Sequence, residues 1–252
     1  MLDFNSNEAL SDCLNILIDR ALEERNRETP RRTYLGGSRL GANCERALQF
    51  EYSGTSKDVG SDFNGKTLRI FDIGHALEDL AVKWLRLAGF ELFTRKGNRP
   101  DGEQFGFSVA KDRLRGHVDG IIASFPASLP YGAPALWECK TMNAKSWRET
   151  AKNGVVVTKP VYAAQIAIYQ AYMEPTIPGI SGNPALFTAI NKDTAELHHE
   201  LIPFNAELAQ RMSDRAVRIL HAAEADDLLP RLALERDHFE CRMCSYTSTC
   251  WG

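Results

Sequence analysis

The chain has 252 residues, enough for one large domain or two small ones, and its 25% charged and 44% hydrophobic residues exclude a disordered or fibrous class. The formal net charge of -3 gives no global pull toward nucleic acid, so any such contact must use local basic patches. No run of ~18 apolar residues marks a membrane span, and the acidic stretch Met1–Glu8 reads as neither a secretory signal nor a transit peptide. The expected setting is cytoplasmic and reducing, where cysteines are more often metal ligands or core residues than disulfides.

In chain order, residues 7–28 read as an amphipathic helix with Leu10, Leu14, Leu17, Ile18, Ala21 and Leu22 on its apolar stripe, ended by Pro30. A loop over 34–41 leads to a helix over 42–52, and 53–65 is a polar, Gly-rich loop. A long helix over 67–88 follows. Its core stripe is Ile70, Ile73, Leu77, Leu80, Ala81, Trp84 and Leu85, with Gly89 as C-cap. Residues 90–94 and 105–110 are candidate strands. The runs 115–122 and 135–142, separated by the turn-rich break 125–134, read as a β-hairpin or as near neighbours in a sheet. A short helix over 144–151 and a helix over 160–173 opening on Pro160 come next. A strand pair over 185–190 and 196–203 precedes a helix over 205–224, capped by Asn205. The tail from Leu229 carries a cysteine cluster. No repeat or linker is visible, so one domain is expected.

The hairpin is the stretch with the most chemistry. Residues two apart on a strand share a face, so Glu138 and Lys140 point one way and Cys139 points to a core. Charge on an otherwise apolar strand is costly unless balanced. Asp119, in the neighbouring run, can reach the same place. Two carboxylates and an ammonium then make a site for a hard divalent cation, Mg²⁺ or Mn²⁺, suited to phosphodiester hydrolysis. The bland alternative is a buried ion pair bracing the sheet.

Other constellations point the same way. His75 and Glu78 are an i,i+3 pair on the long helix and could complete and support the metal site, or simply form a solvated face. Gly74, inside that helix, suggests a close backbone approach. Gln165 and Tyr169, four apart, could hydrogen-bond a phosphate or stack on a base. Cys241, Cys244 and Cys250 have the spacing of a metal centre that needs a fourth ligand. Cys44, ahead of a helix in a polar segment, and Cys13, on an apolar helix face and more at home in a core, are the candidates. By count, four thiolates fit zinc and [4Fe–4S] alike. Gly60 to Thr67 matches a nucleotide-binding loop, but no buried strand leads into it, so a flexible loop is the better reading. The arginines at 211, 215 and 218 read as a solvated helix face.

Taken together, Gly74-His75 with Glu78, Gly116-His117-Val118-Asp119, Glu138-Cys139-Lys140 and Gln165 with Tyr169 occur in the order found in PD-(D/E)XK nucleases of the RecB nuclease-domain type. Cys44 before them and Cys241, Cys244 and Cys250 after them resemble the iron–sulfur branch of that family. The likeness covers residues 38–252. It implies an α/β fold, a central mixed β-sheet flanked by helices (a restriction-endonuclease-like core), with a cysteine-ligated cluster joining the N- and C-terminal parts. Within a single domain over 1–252, residues 1–37 would be a helical extension, 38–66 and 225–252 the cluster-binding parts, and 67–224 the nuclease core. The resemblance implies a divalent-metal-dependent DNA exonuclease acting on single-stranded or end-containing DNA. His75, Asp119, Glu138 and the Cys139 carbonyl would bind Mg²⁺ or Mn²⁺, with Asp119, Glu138 and Lys140 catalytic and Glu78 in support. Gln165 and Tyr169 would contact DNA, and Cys44, Cys241, Cys244 and Cys250 would hold a [4Fe–4S] cluster in preference to zinc. The alternative is a non-catalytic DNA-binding module held by a metal cluster. Oligomeric state is not legible.

Overall fold

The computed structural model describes residues 7–99 and 101–252. Two sheets organise them. The larger has five strands in the order β2 (Glu91–Phe93), β5 (Gly120–Ser124), β6 (Ala135–Met142), β7 (Ala185–Asn191) and β8 (Leu197–Ile202). Only the β6–β7 pair is parallel, so the sheet is mixed. The smaller has the order β1 (Leu35–Gly36), β4 (Leu114–His117) and β3 (Gly106–Val109), with β1 parallel to β4.

Strand alternation sorts the central strands into two cores. Trp137 and Cys139 of β6, with Leu186 and Ile190 of β7, pack under helix α3 (Gly65–Leu87) against Ala81, Val82 and Leu85. Leu136, Phe187 and Ala189 face the other way, toward α6 (Pro160–Met173) and α7 (Ala206–Glu224), meeting Ile166, Ile168, Ile219 and Leu220. Strand β7 is buried along its whole length, as expected of a strand covered on both faces. The helices begin where side-chain oxygens can accept the first free N–H groups: Asn64 from Thr67, Asn143 from Ser146 and Asn205 from Leu208. Among the described residues, no helix is long and apolar enough to cross a membrane.

Three expectations need correction. The run 115–122 is not one strand. It divides into β4 and β5, which belong to different sheets, and Val118 and Asp119 form the link. The β5–β6 part does pair antiparallel, with Gly120 opposite Trp137. Second, helix α1 (Asn7–Glu28) has the expected bounds, yet Leu10, Leu14, Leu17 and Ile18 remain exposed and Cys13 is only half-buried. The helix is held to α3 by polar contacts instead. Arg25 pairs with Asp72 at 2.9 Å, Arg69 with Asp19, and the Gly65 N–H donates to Glu23. Third, the buried stripe of α3 is Leu68, Ala81, Val82 and Leu85, while Ile70, Ile73, Leu80 and Trp84 stay partly exposed.

The segment around α2 meets the C-terminal tail. Helix α2 (Glu45–Tyr52) packs beside α7, and the segments flanking α2 bind the tail. Gln49 donates to the Asp227 carbonyl at 2.6 Å and accepts from the Leu229 N–H at 2.9 Å. The Asp58 carboxylate accepts from the Ser248 N–H at 2.6 Å, and the Asp58 N–H donates to the Ser245 carbonyl at 2.8 Å.

Candidate metal-assisted hydrolase site and cysteine centre

The first site forms where the two sheets part. Because β5 begins only at Gly120, the Cys139 N–H on β6 has no strand residue to pair with on that side. The Asp119 carboxylate fills the vacancy, accepting that N–H at 2.8 Å. A backbone donor left over at the sheet seam thus fixes a carboxylate beside β6. On the α6 face of the same strand, Glu138 is wholly buried. One of its oxygens, Oε1, accepts from the Gln165 amide at 2.6 Å and from the Lys140 ammonium. The other, Oε2, is buried without a partner. Lys140 Nζ also lies 3.7 Å from Asp119 Oδ2, donates to the Cys139 carbonyl at 3.2 Å, and sits 5.5 Å from the centre of the Tyr162 ring. Three of the expected residues, Asp119, Glu138 and Lys140, are therefore brought together. Cys139 contributes its backbone while its thiol lies in the core, 4% exposed, as its place in the alternation requires.

The electrostatics record a shortage of positive charge. Burial first, then the Asp119 charge, pushes Glu138 up to about 8, against the pull of Lys140. Glu78, reaching in from α3, is pushed up to about 7 by burial and by Asp119. Burial works against a charged Lys140, but Glu138 and then Asp119 hold it above the ordinary lysine range.

The remaining expected residues are placed differently from one another. His75 is exposed, one turn before Glu78, and makes no hydrogen bond or ion pair with another described residue. Gln165 is buried on Glu138, so its amide faces the acid and not an open groove. Tyr169 is buried edge-on to Phe107, 5.4 Å between ring centres, with its hydroxyl on Ser38. A Cβ added to Gly74 would lie 3.5 Å from Thr141 Oγ1, an ordinary contact, so no close backbone approach explains that glycine. The segment 53–64 holds no strand before the Gly65-Lys66-Thr67 start of α3, which removes the nucleotide-loop reading. Of the helix arginines, Arg211 and Arg218 are exposed and pair with Glu207 and Glu45, whereas Arg215 is largely buried, donating to the Leu40 and Asn43 carbonyls at 3.0 and 2.9 Å beside Glu45 at 3.2 Å, so the solvated-face reading fails there. The sequence offered no sign of the Gln165–Glu138 bond or of Ser38 beside Tyr169, since both depend on which helix packs where.

Do these residues suit a divalent cation? Among the described residues, no three His, Cys, Asp or Glu side chains are gathered to hold an ion as they stand. The Lys140 ammonium occupies the space between Asp119 and Glu138. Yet the donors are hard oxygens, Glu138 Oε2 is a buried acceptor with nothing to accept from, and two carboxyls are pushed toward their protonated forms by burial first and by the Asp119 charge next. That donor set fits Mg²⁺ or Mn²⁺.

The second site joins the α2 segment to the C-terminal tail. Cys44, at the N-cap of α2, and Cys241, Cys244 and Cys250 of the tail line one cavity of about 210 Å³. All four are free thiols. Burial raises the Cys244 thiol, its sulfur accepts the Tyr246 N–H at 3.4 Å, and the other three cysteines raise it further by their charge. Arg46 Nη1 donates to Cys250 Sγ at 3.7 Å. Sulfurs that share a cavity and accept N–H donors are suited to a thiolate-bound metal. Of the two fourth-ligand candidates, Cys44 lines the cavity and Cys13 does not.

The chain has the fold of an exonuclease of known structure. That protein is an alkaline exonuclease (LHK-Exo) from Laribacter hongkongensis, with a TM-score of 0.51 at 15% identity over 78% of this chain and 90% of that one. The same enzyme in complex with dAMP gives 0.51 at 17% identity over the same shares. SSO0001 gives 0.49 at 14% identity over 94% of this chain and 96% of that chain. No protein-family model and no curated protein matches the sequence.

Proposed function

We propose that the chain is a divalent-metal-dependent deoxyribonuclease, an exonuclease on single-stranded or end-containing DNA, with a structural metal centre on its four cysteines. The observation that carries this reading is the seam between the sheets, where Asp119, Glu138 and Lys140 meet and the second Glu138 oxygen, Oε2, is buried without a partner. The fold shared with an alkaline exonuclease crystallised with dAMP supports it. So does the charge balance: Glu78 and Glu138 together postpone two negative charges, which is what one divalent cation would offset.

Asp119, Glu138 and the Cys139 carbonyl oxygen would hold Mg²⁺ or Mn²⁺, with Glu78 in support. When bound, such an ion polarises the phosphodiester and lowers the pKa of the attacking water. This chain's own part is positioning and charge. The Gln165 amide fixes Glu138 Oε1, which leaves Oε2 free to face the ion. The Asp119 side chain is aimed by the Cys139 N–H. Lys140, held as an ammonium, meets a phosphate oxygen or orients the water and stabilises the charge that builds up on cleavage. His75, exposed one turn before Glu78 on the same helix, would add an imidazole ligand. Gln165 acts here by holding Glu138, and Tyr169 by packing α6 on Phe107, so direct DNA contact falls to other residues. Cys44, Cys241, Cys244 and Cys250 would hold [4Fe–4S], with zinc as the other occupant that the thiolates suit.

The test is degradation of end-labelled single-stranded DNA with Mn²⁺, wild type against Asp119→Ala. Loss of about 100-fold or more is expected on removing one electrostatic stabiliser. DNA binding without cleavage in either protein would replace the nuclease with a non-catalytic DNA-binding module.

A further inference from the structure

Outside the acidic seam, one surface cluster is not explained by folding alone. Tyr34 immediately precedes β1, and β1 runs parallel to β4 with Leu35 opposite Leu114 and Gly36 opposite Arg115. Leu35 and Leu114 are buried, so alternation turns Tyr34 and Arg115 to the outer face of the small sheet. Arg32, two residues before Tyr34, joins them. The Arg32 and Arg115 guanidinium carbons lie 5.2 and 5.1 Å from the centre of the Tyr34 ring. Two cations on one half-buried ring repel each other unless an anion comes between or beside them. Arg115 has a partial answer: Nε donates to the Asp112 carbonyl at 3.1 Å, and Nη2 is 3.8 Å from that residue's carboxylate. Arg32 has no carboxylate partner among the described residues, so its charge on the Tyr34 ring is left unbalanced.

The arrangement is also held in place. Asp112, which anchors Arg115, ends a run of three left-handed residues, Ala110, Lys111 and Asp112, at the β3–β4 turn. Such backbone is uncommon outside glycine and is kept where the surroundings insist on it. Arg32 lies flat on Gly36, where a Cβ would stand 2.5 Å from its Nη1. The cluster is close to the seam. Asp119 is four residues after Arg115, at most about 14 Å of chain. That is the span of a few nucleotides at ~3.4 Å each when stacked.

We infer that Arg32, Tyr34 and Arg115 form a docking platform for single-stranded DNA, where the two guanidinium groups take neighbouring phosphates and the ring with their planes receives an unstacked base. The platform delivers the strand to Asp119. Single strands fit it because a base already in a duplex cannot stack on an aromatic or guanidinium plane. The inference rests on the nuclease reading and adds to it the place where substrate arrives.

The test is anisotropy of fluorescein-labelled oligo-dT, titrated with protein at several salt concentrations and without added divalent metal. Arg32→Ala with Arg115→Ala is expected to weaken binding about 10-fold. It should also lower the slope of log K against log salt by about 1.4, two phosphates at ~0.7 each. Tyr34→Phe should bind like wild type and Tyr34→Ala should not. If the alanine pair melts lower than wild type, Arg32→Gln with Arg115→Gln, which keeps side-chain length, decides by the same criteria. Equal affinity and slope in variant and wild type overturn the platform and leave the nuclease reading intact, because Mn²⁺-dependent cleavage is measured separately. Wild type that binds no oligo-dT also overturns the platform, and the nuclease reading falls with it only if cleavage is absent too.

Discussion

At Glu138 the protein keeps a carboxyl group where water cannot reach it, and the sign of its titration follows. Glu138 and Glu78 move up from 4.5 to about 8 and about 7. Between those limits the native chain holds protons that the unfolded chain has released. Without divalent metal, stability is therefore greatest at the acid end of the window and falls as pH rises from about 5 to 8. Each proton contributes up to about 1.4 kcal/mol per pH unit, and each kcal/mol moves Tm by roughly 2–4 °C in a chain of this size. Melting curves in metal-free buffer should show that decline and Glu138→Gln should flatten much of it; a wild-type Tm that stays level from pH 5 to 8 would count against the charge balance drawn here. Gln165→Leu removes the amide that fixes Glu138 Oε1. We expect a 10- to 100-fold fall in activity or Mn²⁺ affinity, as for other groups that orient a ligand, with oligo-dT affinity unchanged. A fall in DNA affinity instead would return Gln165 to the role of direct contact. The Glu138–Cys139–Lys140 alternation was legible from the sequence because a strand has a period of two. The Gln165–Glu138 bond was not, because nothing local records which helix covers that face.

Among the elements, α3 is where pattern reading went furthest astray. Its apolar spacing suggested a stripe from Ile70 to Leu85, but only the C-terminal half lies over the five-stranded sheet, where Ala81, Val82 and Leu85 are buried. Periodicity fixes which residues share a helix face and not how far the sheet beneath extends. The same reason explains α1, whose leucines are exposed because polar contacts with α3 set its position. Gly74 lies in the unburied half of α3, with only Thr141 near its missing Cβ. Gly74→Ala should therefore raise stability by about 0.5–1 kcal/mol, read as a higher urea midpoint at constant slope. A lower midpoint would restore the close approach that the sequence suggested. The division of residues 114–124 between two sheets was missed although the sequence marks it, for Asp119-Gly120 is a turn-type dipeptide at that corner. That corner is what places Asp119.

Over the whole molecule, the spacing of the tail cysteines signalled a metal centre, and the structure brings Cys44 to them from about 200 residues away. The tie is made of ordinary contacts as well, through Gln49, Asp58 and Asn43. Cys44→Ser should lower the bound iron or zinc measured by elemental analysis. It should also lower stability by up to roughly 4–5 kcal/mol, the chain-entropy value for closing a loop of this length. Unchanged metal content would return the fourth-ligand question to Cys13. The closure of the α2 segment on the tail also sets an order of construction. On a ribosome, residues 45–58 emerge long before Cys241, so Gln49 and Asp58 have no tail to bind until synthesis reaches α9 (Thr247–Trp251). The central sheet can form first, but the loop carrying Cys44 waits for Cys241, Cys244 and Cys250. Any metal proposed for the four cysteines would meet its full set of ligands only after Cys250 is made.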